Sequence, residues 1–292
     1  MRLPREGEVM EKRMLLVALG LTVVVLLGSA ALAGAPLGPP KAFVGHGQWA
    51  VDVEYAHQEV DLKACGKVIS SLGGGSCDGW KIEDMRSNLF FGSLAYGLCD
   101  NWDVFVRLGM ADAKDEMKNA CGYGDEYAFD GSYGFAWGAG TRATFCQNGP
   151  WTVGAVGQVT WLNPDDDEVS FTFPKEEPDD PNYVNRGTVD FDDWRELQVG
   201  LGVTYQADSW FVYGGPCVLV VNGDLDFDYQ EFVDREPLAT VNFNGDLREE
   251  SEFGGWLGFG MELPAYAATC YAEAQIYGDG WTIGGGLSIP LP

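Results

Sequence analysis

Histidine, the side chain suited to proton transfer near neutral pH, occurs twice in this 292-residue chain, at His46 and His57. Neither stands in an Asp-x-His pair, so an enzyme is not expected, and the sequence asks for no cofactor. The nearest approach to a metal loop is Asp224-Leu-Asp226-Phe-Asp228-Tyr-Gln-Glu231, whose first three acids suit Ca²⁺. Tyr229 occupies the place where the sharp turn of such a loop needs Gly, so a solvated acidic stretch is expected and no metal site.

The other charges of interest lie in segments where every second residue is apolar. Glu54, Arg107, Arg142, Glu196 and Glu273 fall on the polar parity of such segments, as do Asp52, Asp103, Asp130 and Glu262. Side chains so placed line one face of a sheet whose other face is greasy. Carboxylates outnumber guanidiniums, which favours cations over anions along that lining. Each arginine is expected to pair with a neighbouring carboxylate, because buried charges need partners.

Seven cysteines follow an export-type leader, which implies an oxidising compartment. Cys65 and Cys77 flank the flexible Gly73–Gly75 stretch and form one candidate bridge. Cys99 and Cys146 on successive short turns form a second. Cys217 and Cys270 read as packed thiols, which leaves Cys121 as the odd residue.

The elements that position these residues begin after residue 33. Glu11-Lys12-Arg13, the apolar run Leu15 to Leu27 and the small residues ending Ala31-x-Ala33 make a cleavable signal peptide over residues 1–33. An uncut anchor over Leu15 to Ala33 is the alternative, and translation starting at Met10 gives a more ordinary leader. Beyond it no run of 18 apolar residues follows, so any further crossing of a membrane falls to strands. Residues 34–47 are expected as a periplasmic lead-in and 48–292 as the β domain. A net charge of −26 and a pI near 4.1 exclude nucleic acid as a partner.

Period-two alternation then recurs about ten times, within a range of eight to twelve strands. Trp49, Val51, Val53 and Tyr55 oppose Gln48, Asp52 and Glu54; Trp102 to Met110 opposes Asp103 and Arg107; Leu197 to Tyr205 opposes Glu196, Gln198 and Thr204. Trp210 to Val221 is apolar on both parities and contains Pro216, so its faces stay unassigned. Short turns near 99–101, 146–150, 206–209 and 264–266 alternate with long connections near 58–84, 112–127, 163–190 and 222–250. Trp102, Trp151 and Trp210 directly follow three of the short turns, as an interfacial aromatic girdle does.

The hairpin from Ser87 to Gly109, with Tyr96-Gly97 before the turn and Trp102 after it, resembles those of bacterial outer-membrane β-barrel proteins. The carboxyl end, with Thr282, Gly284, Leu287 and Ile289, is similar to that class's assembly signal, although it finishes Pro-Leu-Pro292 and not on an aromatic. The resemblance implies an all-β, antiparallel up-and-down transmembrane barrel in the bacterial outer membrane. It further implies contact with outer-membrane lipid, lipopolysaccharide and the barrel-assembly machinery. The function expected is a structural, surface or narrow-pore barrel with long acidic outer loops and a largely plugged polar lumen. A secreted soluble β-sandwich or lipocalin-like binder is the alternative. A lipid-modifying or proteolytic barrel, using His57, is the second.

Overall fold

A computed structural model describes residues 34–71, 73–118, 126–165, 167–172, 183–233, 236–249, 253–278 and 280–291. The leader over 1–33, Cys121 and the acidic run at 176–180 lie outside the described residues.

The strands are β1 Trp49–Ser70, β2 Gly73–Cys99, β3 Trp102–Lys118, β4 Glu126–Asn148, β5 Trp151–Asn163, β6 Asp167–Thr172, β7 Tyr183–Gln206, β8 Trp210–Val233, β9 Glu236–Glu249, β10 Phe253–Leu263, β11 Ala268–Tyr277 and β12 Gly280–Leu291. All pairings are antiparallel, and β12 returns to pair with β1 from Trp49–Leu291 to Val60–Gly280, closing the sheet on itself. Among the described residues no helix is long and apolar enough to cross a membrane.

Twelve segments make ten tracks around the ring. β5 and β6 both run along β7, the first beside 195–205 and the second beside 184–189, so they are one interrupted strand. β10 and β9 likewise lie end to end along β8. Ten tracks agree with the alternation in the sequence. The β11–β12 hairpin stops early, at Tyr277 and Gly280, and beyond it β9 pairs directly with β1 from Leu62–Glu249 to Ser70–Val241. The sheet therefore narrows from ten tracks to eight in its outer part.

The parity read from the sequence fixes the two faces. Val53, Val106, Leu108, Leu201 and Leu257 are exposed on the outer wall, whereas Asp52, Glu54, Arg107, Gln198 and Gln275 are buried within. The unassigned strand resolves in the same way: Trp210 and Val212 face out, Phe211 and Tyr213 in. Pro216 sits where the β7–β8 ladder passes from Gly200–Cys217 to Val203–Gly214, so its missing N–H costs no pairing there.

Several expectations are corrected. The long outer connections are mostly strand: β1 reaches Ser70 and β2 restarts at Gly73, and Asp224 to Val233 belongs to β8. Asp224, Asp226 and Asp228 thus stand at alternate positions on one strand face, too far apart to converge on one cation. The β3–β4 register steps from Ala111–Gly134 to Ala113–Gly131, so an extra residue on β4 flips that strand's parity beyond it, and Asp130, expected inside, is exposed and pairs with Lys114. Glu262, expected inside, is exposed beside the 3₁₀ turn Pro264–Tyr266.

Candidate functional site

The interior is built by two kinds of side chain at two levels. Between the short turns and the middle of the ring it is polar. Arg142 Nε donates to Asp103 Oδ1 at 2.9 Å, with Asp52 Oδ2 3.9 Å from Nη2. Arg107 Nη2 donates to Gln158 Oε1 at 2.6 Å, and Nη1 lies 3.8 Å from Glu54 Oε2. Phe105 stands between the two guanidiniums, 4.9 Å from Arg107 and 5.0 Å from Arg142. Glu54 also accepts from Tyr271 Oη at 3.0 Å and Ser93 Oγ at 3.2 Å. Both arginines are paired, as buried charge requires.

Beyond this level the inward positions are apolar. Val60, Leu62, Leu89, Leu162, Leu219 and Val221 are buried members of one packed cluster with Phe191 and Trp194. Eight strands make a ring that side chains alone fill, and the outer part has eight tracks.

The ten-track level is wider, and the chain fills it with itself. Of residues 34–47, expected in the periplasm, 34–44 run inside the ring, with Ala35, Leu37 and Val44 buried, and His46 and Gly47 are exposed. The physical reason is a set of partners aimed at this segment's backbone. Glu273 accepts from Leu37 N at 2.7 Å and Gly38 N at 2.9 Å, besides Tyr213 Oη and Gln275 Nε2. Asp103 Oδ2 accepts from Phe43 N at 2.5 Å and Val44 N at 3.2 Å, and Thr144 Oγ1 from Ala42 N at 3.0 Å. Gln158 Nε2 donates to Ala35 O and Pro36 O, and Trp256 Nε1 to Gly38 O. The prolines at 36, 39 and 40 lack N–H groups, so this strap needs fewer acceptors than an ordinary buried loop. Glycine in the wall makes room: a Cβ on Gly154 would lie 2.2 Å from Pro40 O.

The expected lining residues Glu54, Arg107, Arg142, Glu196 and Glu273 are all buried in this interior; the last four are hydrogen-bonded to the strap directly or through Asp103, Gln158 and Gln58, and Glu54 joins them by its ion pair with Arg107. Gln58 Nε2 bridges to Glu196 Oε1 at 3.0 Å, and Gln198 Nε2 to Gln275 Oε1 at 2.9 Å. Missing from the sequence reading were the strap itself and the inward Phe105, Tyr213, Tyr271 and Tyr277. The signal available was the stretch Gly34-Ala-Pro-Leu-Gly-Pro-Pro40, apolar and without strand alternation, which a solvated lead-in has no use for.

On the outer wall, Trp102, Trp151 and Trp210 are exposed at the short-turn end, joined by Trp49. Trp49 packs on Tyr96 at 4.6 Å and Trp151 on Tyr205 at 4.8 Å. His57, also on that wall, meets Asn88 Oδ1 at 2.8 Å, and Asn88 Nδ2 donates to Asp112 Oδ2 at 3.0 Å. Tyr55 Oη donates to the same Asn88 oxygen at 3.0 Å, and no serine, threonine or cysteine side chain bonds to His57 among the described residues.

The cysteine pairings differ from expectation. Cys65 is free and exposed, and the side chain of Cys77 lies outside the described residues. Cys99 and Cys146 are also free. They end strands β2 and β4, two strand spacings or about 10 Å apart, beyond the roughly 7 Å Cα separation a disulfide spans.

No protein-family model matches the chain, and no curated protein matches it. Solved structures resemble it in outline. The outer membrane protease OmpT from Escherichia coli aligns at 9% identity and TM-score 0.43, covering 89% of this chain and 99% of that one. The outer membrane protein OprG from Pseudomonas aeruginosa aligns at 8% identity and TM-score 0.37, covering 85% and 97%. The translocator domain of autotransporter NalP from Neisseria meningitidis aligns at 13% and 0.36, covering 86% and 90%. Likeness at this level describes general architecture. The ring closes from β12 to β1 with an apolar outer wall and an interior of polar and packed apolar side chains, and this chain is a closed antiparallel β-barrel.

Proposed function

We propose that the protein is a sealed outer-membrane barrel, a scaffold that carries long β-hairpins outward and conducts nothing through its lumen. The observation that supports this reading is the strap, held across the polar level by Glu273, Asp103 and Gln158 beneath a packed apolar level. The belt of exposed Val, Leu, Phe and Trp side chains suits lipid, and the aromatic rim suits a headgroup boundary. A soluble sandwich or lipocalin-like binder has no use for such a belt, and a non-enzymatic role accords with a His57 that bonds to an amide and not to a nucleophile. The outward hairpins are acidic, with Asp192 opposite Asp224 and Asp224 opposite Asp246 across β7, β8 and β9. Lipopolysaccharide and the barrel-assembly machinery remain the partners proposed for the wall and for insertion.

Cell fractionation with gel migration tests the setting. The protein is expected in the outer-membrane fraction as a band whose migration changes on boiling. Recovery with the soluble periplasmic contents, without a heat shift, would refute it.

A further inference from the structure

The outer wall changes character in bands along β7, β8 and β9. The apolar belt ends at exposed Leu197 on β7 and Phe253 on β10. Farther out the ladders carry Asp192, Asp224 and Asp246 in register. Between the two bands Arg195 stands opposite Asn222, Asn222 opposite Arg248, and Arg248 opposite Lys63 on β1. Lys81 holds the next position, on β2. This register row crosses five adjacent strands without an acid, in a chain of 44 acidic and 18 basic residues, so composition alone would not produce it. Arg195, Arg248 and Lys63 are exposed and Asn222 is half-buried. Lys63 has a contact of its own, so the pair that matters is Arg195 and Arg248. Arg248 Nη2 lies 3.6 Å from Asp246 Oδ2, with both side chains 68% exposed, a pair of little strength in water.

A bulge sets Arg195 in this row. The β7–β8 ladder steps from Asp192–Asp224 to Arg195–Asn222, with one extra residue on β7 and Asp193 at φ +48°. Without it Trp194 would take the outward place; instead Trp194 is buried and Arg195 faces out. The depth is also specific. Arg195 lies eleven residues from Gln206 at the short-turn end of β7, roughly 28 Å along the barrel axis at a strand tilt of about 40°, just past an apolar band about 25 Å tall.

We propose that Arg195, Asn222 and Arg248 dock the phosphate of an outer-leaflet glycolipid, the two guanidiniums flanking the Asn222 amide and sharing the phosphate oxygens. Guanidinium matches phosphate in planar, bidentate geometry. The acyl chains of the same lipid lie along Leu197, Val199 and Leu201, and the carboxylates of Asp192, Asp224 and Asp246 repel the phosphate from any position farther out. This inference rests on the outer-membrane reading for its setting.

The purified barrel in dodecyl maltoside is titrated with bisphosphorylated lipid A and, separately, with lipid A stripped of its phosphates, and bound lipid is counted by native mass spectrometry. Wild type is expected to bind the phosphorylated form at least about tenfold more tightly, and the Arg195→Ser/Arg248→Ser double variant to lose that preference. Lys67→Ser, which removes an exposed cation outside the row, should keep it. In detergent without lipid the double variant should resist urea as well as the parent does, because both arginines then face only water. Equal binding of the two lipids by wild type, an undiminished preference in the double variant, a double variant less stable without lipid, or displacement of lipid A by millimolar inorganic phosphate overturns the proposal. Any of these in a protein that keeps its heat shift and conducts nothing sinks the docking row and leaves the sealed barrel standing.

Discussion

Arg107 and Val106 are neighbours in sequence and face opposite solvents, which makes them a test of the wall at single-residue resolution. Val106 is 55% exposed on the outer wall, so Val106→Arg places a charge against lipid and should cost about 2 to 4 kcal/mol near mid-bilayer. From parity alone Arg107→Ala looks benign to folding. Its contacts say otherwise: removing it takes from buried Glu54 its nearest cation and uncovers Phe91 and Phe105, a loss of about 3 to 5 kcal/mol typical of a broken buried pair. Urea unfolding in lipid vesicles measures both, and an Arg107→Ala barrel as stable as the parent would mean the pair is not buried. The faces of Asp52, Glu54, Arg107 and Glu196 were legible because a strand's period of two is rigid. Asp130 was not, since one bulge on β4 reverses that strand's parity beyond it and leaves no mark in composition.

At the scale of elements, the strap and the hairpins were the parts that local pattern hid. A strap has no period, and its one mark in the sequence, the apolar run Gly34 to Pro40, does not say what it packs against until the opposing Glu273, Asp103 and Thr144 are in place. The outer connections looked like loops because their glycines and acids are poor strand formers, yet pairing with a neighbour outweighs that weak preference: β9 is zipped to β8 on one side and β1 on the other. Lys41 lies within the strap, with its ammonium on Gln206 Oε1 at 2.8 Å, so trypsin should leave the native barrel uncut there. Gly154→Leu drives a side chain into Pro40 O and should displace the strap. Cleavage after Lys41 is then expected in the variant only, read by amino-terminal mass analysis. Equal cleavage of both proteins would show that the strap is not held in the lumen.

For the whole molecule, the ten-track ring was readable as a count of alternating segments and an alternation of turn lengths, while the narrowing to eight tracks was not. It depends on where β11 and β12 end relative to β9, a register fixed by long-range pairing. The topology places Cys65 on the outer hairpin and Cys99 and Cys146 at the opposite rim, all three free. A membrane-impermeant maleimide added to intact cells should therefore label Cys65, and reach Cys99 and Cys146 only once the outer membrane is opened. The reverse order would invert the barrel.

The central claim is that the lumen is shut, by the strap at the polar level and by Leu62, Leu219 and their neighbours beyond it. Single-channel recording in planar bilayers measures this most directly, on protein whose heat shift proves that it has folded. The account predicts a flat baseline at moderate voltages. Steady, ohmic steps that favour cations, as the carboxylate-rich lining would select, would contradict it.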